Sequence, residues 1–482
     1  MIGVIDYGLG NLASISNMLR RIEVPAVISS DPNVLATADK LILPGVGAFD
    51  QGMKNLHKSG LIEPLNRWIQ QDKKPILGIC LGAQLLTLGS DEGKLPGLGW
   101  IRGRTVAFNR SRLASNQRVP NMGWRNVYKA ESSHLTSSLS PDARFYFVHS
   151  FHLQIDDPHD VILTANHGYP FAVGVQHDNV MGVQFHPEKS HKFGMEFLRS
   201  FAIATPQSEV GNGKDLVSTR DGQPTPFERI RVIPSLLLRG EGLVKTVRFQ
   251  KPVYVGDPIN TVKIFNEKQV DEIAILDITA SHLNREPQFE RIAEIASEAF
   301  MPLAYGGGIR TLEQIKRLFQ LGVEKVILNT ALIENPDLVT AAANQFGSQS
   351  ILASIDAKKK WLGGYYCVTR GGRQTHRISP VVLARRAVDA GAGEVLLNSV
   401  NRDGTQSGYD IALIRSVTER VNVPVIACGG AKSVADFVQA VHDGGASAVA
   451  AGSMFVFHGI HRAVLVNFPD EHSLQALLFN QN

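Results

Sequence analysis

Residues 75–86, Pro75-Ile-Leu-Gly-Ile-Cys-Leu-Gly-Ala-Gln-Leu-Leu86, pass from a short apolar run through a glycine-flanked cysteine into a helical pattern. A continuous apolar run of this length suits a parallel strand buried on both faces. Gly78-Ile-Cys80-Leu-Gly82 then has the G-x-C-x-G form of a nucleophile elbow, whose glycines permit the tight strand-to-helix turn that presents one side chain. There Cys80 lies at a helix N-terminus, where the dipole favours thiolate over thiol. The plainer alternative is a small buried cysteine beside a turn. Outward from this stretch, Leu41-Ile-Leu-Pro44 is a second apolar run and Val180 to Phe185 a further candidate strand. Alternation of such strands with helical segments predicts a doubly wound α/β domain over residues 1–203.

A thiol nucleophile needs a base, and Val183-Gln-Phe-His186-Pro-Glu188-Lys-Ser supplies one. His186 follows a strand, and Glu188 is spaced to orient its imidazole, completing the nucleophile, base and acid of a thiol acyl-transfer site. Residues 204–226 are polar, rich in Gly and Pro and without periodicity, and read as a linker. Residues 227–482 repeat strand, Gly-rich turn and helix. Pro302-Leu-Ala-Tyr-Gly-Gly-Gly-Ile resembles Pro424-Val-Ile-Ala-Cys-Gly-Gly-Ala, and Leu276-Asp-Ile-Thr resembles Leu397-Asn-Ser-Val. The offset of about 121 residues is half of a typical (β/α)₈ barrel, so a TIM barrel built from two similar halves is predicted, with an open doubly wound sheet as the alternative.

Composition narrows the function. The 482 residues suggest more than one core, and 44% apolar with 20% charged residues is ordinary for a globular protein. A formal charge of +4 without a block of like charge points to neither nucleic acid nor a membrane surface as partner. Three cysteines (Cys80, Cys367, Cys428) make no disulfide scaffold and suit a reducing compartment. Met1 runs directly into an apolar strand with no signal-peptide pattern, and no apolar run approaches a membrane span, so a cytoplasmic location is expected. No metal or cofactor is expected.

Cys80, His186 and Glu188 with their neighbours resemble the class I (triad) glutamine amidotransferases, which carry a flavodoxin-like fold. More narrowly, Asp6-Tyr-Gly-Leu-Gly-Asn-Leu, Leu43-Pro-Gly-Val-Gly-Ala-Phe, Pro120-Asn-Met-Gly-Trp and Phe145-Tyr-Phe-Val-His-Ser resemble the glutaminase part of imidazole glycerol phosphate synthase. The resemblance implies glutamine as substrate, oxyanion-stabilising backbone in the Pro44-Gly-Val-Gly47 turn near Gly47, and a glutamine pocket lined by Gly82 and Gln84. The second half resembles the cyclase barrel of the same family. Its Gly-rich turns, holding Gly307, Gly308, Asn329 and Thr330 in one half and Asp403, Gly404, Gly429, Gly430, Gly452 and Ser453 in the other, imply two phosphate sites for a ligand phosphorylated at both ends. Arg231, Glu272, Lys325 and Glu394 match the family's ring of charges at the ammonia entrance, although each alone reads as a solvated charge at a strand end.

One departure stands out. The family's cyclase uses two aspartates on opposed strands; Asp356 matches one, but Leu237 occupies the position of the other, with no acid between Arg231 and Glu241. Glu241 reads as a solvated loop residue. Asn398 and Asn401 replace a family Thr and Asp. The run Pro234 to Val247 and the ending Ala451-Gly-Ser-Met-Phe-Val-Phe-His458 resemble a divergent branch associated with acetamidino modification of surface-polysaccharide sugars, which supplies ammonia to a separate sugar amidotransferase. The alternatives are a true synthase of histidine biosynthesis and a barrel that only senses its ligand and regulates the glutaminase.

Overall fold

In the computed structural model, residues 1–114, 117–203, 230–458, 463–470 and 472–474 are described; the segment 204–226 read as a linker lies outside them. The chain divides into two compact units, one of residues 1–117 and 121–228, the other of residues 118–120 and 229–482.

In the first unit, strands Ala26–Ser29, Ile2–Ile5, Lys40–Leu43, Ile76–Ile79 and Val180–Val183 lie side by side in that order, all parallel. Pro170–His177 and then Val161–Asn166 extend the sheet in antiparallel fashion. Every residue of Ile2–Ile5, Ile76–Ile79 and Val180–Val183 is buried, as strands covered on both faces must be. The helix Leu12–Arg21, capped by Asn11, covers the sheet through Ile15, Met18 and Leu19. The strand expected over 180–185 stops at Val183, where the chain leaves the ladder. That early exit brings Gln184 and His186 to the end of the sheet beside Cys80, whose N–H donates to Val183 O at 2.8 Å.

In the second unit eight parallel strands follow one another: Arg231–Arg239, Ile273–Asp277, Leu303–Gly306, Lys325–Leu328, Ile351–Lys359, Glu394–Ser399, Val425–Cys428 and Ala448–Ala451. The last pairs with the first, through Arg231 with Ala448 and Pro234 with Ala451, so the sheet is closed and the open alternative is excluded. Period-two alternation sends Ile233, Ala304, Leu352 and Ile426, among others, into an apolar barrel interior. The intervening residues pack outward against the helices. The third and seventh strands, half a barrel apart, are the two that end in the repeated Gly pairs.

Candidate active site and barrel cavity

Cys80 has φ 52° and ψ −108°, a left-handed conformation that a residue with a side chain adopts only where its surroundings impose it. Here the imposing feature is close packing. A Cβ on Gly82 would stand 1.8 Å from Leu43 O, and one on Gly78 would stand 2.7 Å from Ala83 N. The glycines therefore let the helix Leu81–Leu85 sit directly on two strands, leaving Cys80 at the apex. The turn carrying Gly47, itself at φ 135°, lies alongside: Tyr7 OH donates to Pro44 O at 2.7 Å, and Leu81 N–H donates to Gly45 O at 3.3 Å. The N–H following the nucleophile is thus engaged by the turn in this conformation.

The 3₁₀ turn Pro187–Lys189 places the next two groups. His186 Nδ1 and Glu188 Oε1 are 2.8 Å apart, and each residue is 2% exposed. His186 Nε2 has no hydrogen-bond partner among the described residues. Burial works to lower the imidazole pKa, but the charges of Cys80 and Glu188 outweigh it and hold the pKa well above the usual value. Cys80, just past the strand Ile76–Ile79, and the His186–Glu188 pair, just past the neighbouring strand Val180–Val183, thus lie at the same end of the sheet. Gln84 is buried beside them, and its amide nitrogen is committed to Phe151 O at 3.2 Å and Gln184 Oε1 at 3.1 Å, leaving only its oxygen for a ligand.

Two groups here carry little signal in the sequence. Gln184, within the motif that announces His186, donates from Nε2 to Cys80 Sγ at 3.6 Å. Glu92 accepts from Phe49 N at 2.9 Å, two residues past Gly47, and burial pushes its carboxyl up to about 7. A desolvated carboxylate next to the Gly47 turn suits a cationic ligand group. With its pKa raised in the folded state, Glu92 contributes stability present below the ordinary glutamate range and lost as pH rises towards 7. Glu92→Gln is therefore expected to melt higher than the parent at pH 8, with little difference at pH 4, while its KM for glutamine rises about tenfold. Thermal melts at both pH values and a glutamine titration check this.

In the barrel, Arg231, Glu272, Lys325 and Glu394 are buried rather than solvated. Arg231 Nη1 donates to Glu272 at 2.8 Å and Nη2 to Glu394; Lys325 Nζ donates to Glu272 at 3.0 Å and to Glu394 at 2.9 Å. Four alternating charges thus close the N-terminal end of the barrel, immediately below the apolar interior. Burial alone would raise Glu394, but Arg231 and Lys325 prevail and lower its pKa.

At the opposite, C-terminal end lies a cavity of about 860 Å³. Gly307 and Gly308 line one side with φ 125° and 74°, and Gly429 and Gly430 another with φ 89° and 115°, so both copies of the repeat present backbone in conformations that favour glycine. Asn329, Thr330, Gly404, Gly452 and Ser453 line the same cavity, and the buried Ser453 Oγ has no partner among the described residues. Asp403 lines the cavity as well. Asn329 Nδ2 donates to Asp356 and to Ser354 O, and Asp403 accepts from Thr246 Oγ1 at 3.3 Å. Asp356 also accepts from Asn398 Nδ2 at 3.4 Å, and burial pushes its carboxyl up to about 7. Leu237 lines this cavity from the first strand, across the barrel from Asp356 on the fifth. Glu241 is exposed at the turn beyond it.

The first unit matches the family description "Glutamine amidotransferase class-I" over residues 3–205, and the second matches "Histidine biosynthesis protein" over residues 231–461. Fold and site together define a class I glutamine amidotransferase joined in one chain to a (β/α)₈ barrel. The barrel half is 54% identical over 246 residues, 51% of this chain and 98% of the relative, to a Pseudomonas aeruginosa protein provisionally named imidazole glycerol phosphate synthase subunit hisF2. The first half is 48% identical over 201 residues, 42% of this chain and 98% of the relative, to imidazole glycerol phosphate synthase subunit HisH 2 of the same organism. Across both halves, the imidazole glycerol phosphate synthase hisHF of Arabidopsis thaliana is 30% identical over 530 residues, 94% of this chain and 86% of the relative. The chain belongs to the imidazole glycerol phosphate synthase family, and it is a glutaminase. Among the described residues no helix is long and apolar enough to cross a membrane.

Proposed function

We propose that this enzyme releases ammonia from glutamine to serve acetamidino-sugar formation for a surface polysaccharide, through a separate sugar amidotransferase, rather than ring closure in its own barrel. The observation that carries this reading is Leu237. An aliphatic side chain faces the cavity opposite Asp356, and it can neither take nor give a proton; absence of one general acid or base costs about 10²–10⁴ in rate.

In this reading Cys80 Sγ attacks the side-chain carbonyl of glutamine, and the oxyanion is met by backbone of the Gly47 turn. The C–N bond breaks as His186, oriented by Glu188, gives its proton to the leaving nitrogen, so that ammonia departs and a thioester remains. Water, deprotonated by His186, then releases glutamate and regenerates the thiolate. The ring of Arg231, Glu272, Lys325 and Glu394 is where ammonia enters the barrel, away from bulk water that would protonate it. The glycine pairs hold a bis-phosphorylated ligand.

The test uses purified protein, glutamine and the phosphoribulosyl substrate of the histidine pathway. Glutamate is expected to form while imidazole glycerol phosphate appears at least about 10²-fold more slowly. Equal rates of the two products would overturn the proposal and favour histidine biosynthesis, the reading supported by end-to-end similarity to the Arabidopsis fusion. Adding an amidotransferase and its sugar acceptor distinguishes supply from mere sensing, because only supply transfers the glutamine amide nitrogen to the sugar.

A further inference from the structure

We propose that the side-chain amide of Gln184 is a catalytic donor that holds Cys80 as its thiolate, set in one orientation by a buried hydrogen-bond network. Gln184 is fully buried, and its Nε2 lies 3.6 Å from Cys80 Sγ. The two ends of a carboxamide have almost the same shape, so which end faces the sulfur has to follow from the neighbours.

The neighbours decide it through an atom whose role cannot reverse. Phe151 O is a backbone carbonyl and can only accept, so the Gln84 atom 3.2 Å from it is the amide nitrogen. The same nitrogen reaches Gln184 at 3.1 Å, which makes that atom of Gln184 its carbonyl oxygen. The remaining end of Gln184, its NH₂, is then the one that faces Sγ. A second branch converges on the same carbonyl. Arg125, which can only donate, reaches Asn121 Oδ1 from Nε at 3.2 Å and from Nη2 at 3.1 Å, and so fixes the Asn121 amide. Asn121 Nδ2 therefore donates to His149 Nε2 at 3.0 Å, and His149 donates from Nδ1 to Phe151 O at 2.7 Å. This tautomer requires a neutral imidazole, in keeping with the burial that drives the His149 pKa well below the usual value.

The chemistry follows from this polarity. A donor aimed at sulfur favours its charged form, and a bond to a charged acceptor is about twice as strong as a neutral one. Unlike His186, Gln184 cannot take the thiol proton, so it stabilises and aims the thiolate without competing for the proton that His186 must deliver.

Two substitutions and one measurement on the unaltered protein test the proposal. Gln184→Met keeps the length and removes the donor, while Gln184→Glu keeps an acceptor for Gln84 and sets a carboxylate against the sulfur. Mass-spectrometric quantification of Cys80 alkylation by iodoacetamide against pH reads the thiolate directly. For Gln184→Met the midpoint is expected to rise by about one pH unit, equivalent to about tenfold less thiolate below it, and by more for Gln184→Glu. kcat for glutamine should fall about tenfold with a smaller change in KM. A folded Gln184→Met protein with a midpoint within about 0.3 units of the parent would overturn the proposal. In the unaltered protein the Gln184 Nε2–H resonances should move over the pH range in which Cys80 titrates, and should stay still in Cys80→Ala. Resonances indifferent to that titration would overturn it even if neither Gln184 variant folds.

Discussion

Cys80→Ser is expected to lower glutamine hydrolysis by about 10³-fold or more while leaving the fold intact. Serine has the same Cβ and fits the left-handed elbow at φ 52°, so the packing of Gly78 and Gly82 against their neighbours is undisturbed. What changes is the acidity of the nucleophile. A charge on Cys80 is first among the causes that hold the His186 imidazole well above its usual pKa. A serine hydroxyl at neutral pH carries no such charge, so the imidazolium loses a partner and the nucleophile its ionised form. Coupled detection of glutamate with a circular-dichroism melt checks both halves of the prediction. A turnover within about tenfold of the parent in a folded variant would place the nucleophile elsewhere.

The second large effect concerns stability. Glu394→Gln is expected to destabilise the barrel by about 3–5 kcal/mol, because it removes one of the two buried carboxylates that Arg231 and Lys325 share. For a unit of this size that corresponds to a melting temperature lower by about 10 °C. The pH dependence has a definite sign. The Glu394 pKa is lowered in the folded state, so its contribution is present above the ordinary glutamate range and is lost as pH falls through the lowered value. The gap between parent and Glu394→Gln should therefore narrow on acidification. A gap unchanged between pH 7 and a pH well below the ordinary glutamate range, or a loss below about 1 kcal/mol, would show that the ring is hydrated as a surface pair would be.

The same residues show how far a single sequence reaches. Cys80 was legible because an elbow is local: two glycines and an apolar run within a few positions dictate the backbone. His186 and Glu188 were legible for a similar reason, as two residues of one tight turn. The parallel strands could be read as apolar runs, and the half-barrel repeat from its glycines. Gln184 was not legible as a catalytic group, because a glutamine acquires meaning only from which atom it turns towards its neighbour. Glu92 bears no mark in the sequence; desolvation and the hydrogen bond from Phe49 N distinguish it. Each charge at a strand start reads by itself as solvated, and only the family resemblance joins the four into a ring, since residue identity does not say whether a closed sheet brings four strand ends face to face.

The elbow, the His-Pro-Glu turn and the absence of an acid at position 237 thus belong to the sequence alone, as features of local backbone and of residue identity. Closure of the barrel through Arg231 and Ala448, the burial that makes four charges one network, and the polarity of the Gln84–Gln184–Cys80 relay were decided only by the tertiary structure. The physical reason is one and the same. Backbone preference acts over a few residues, whereas desolvation and hydrogen-bond direction are set by groups that are distant along the chain, as Gln84 and Gln184 are.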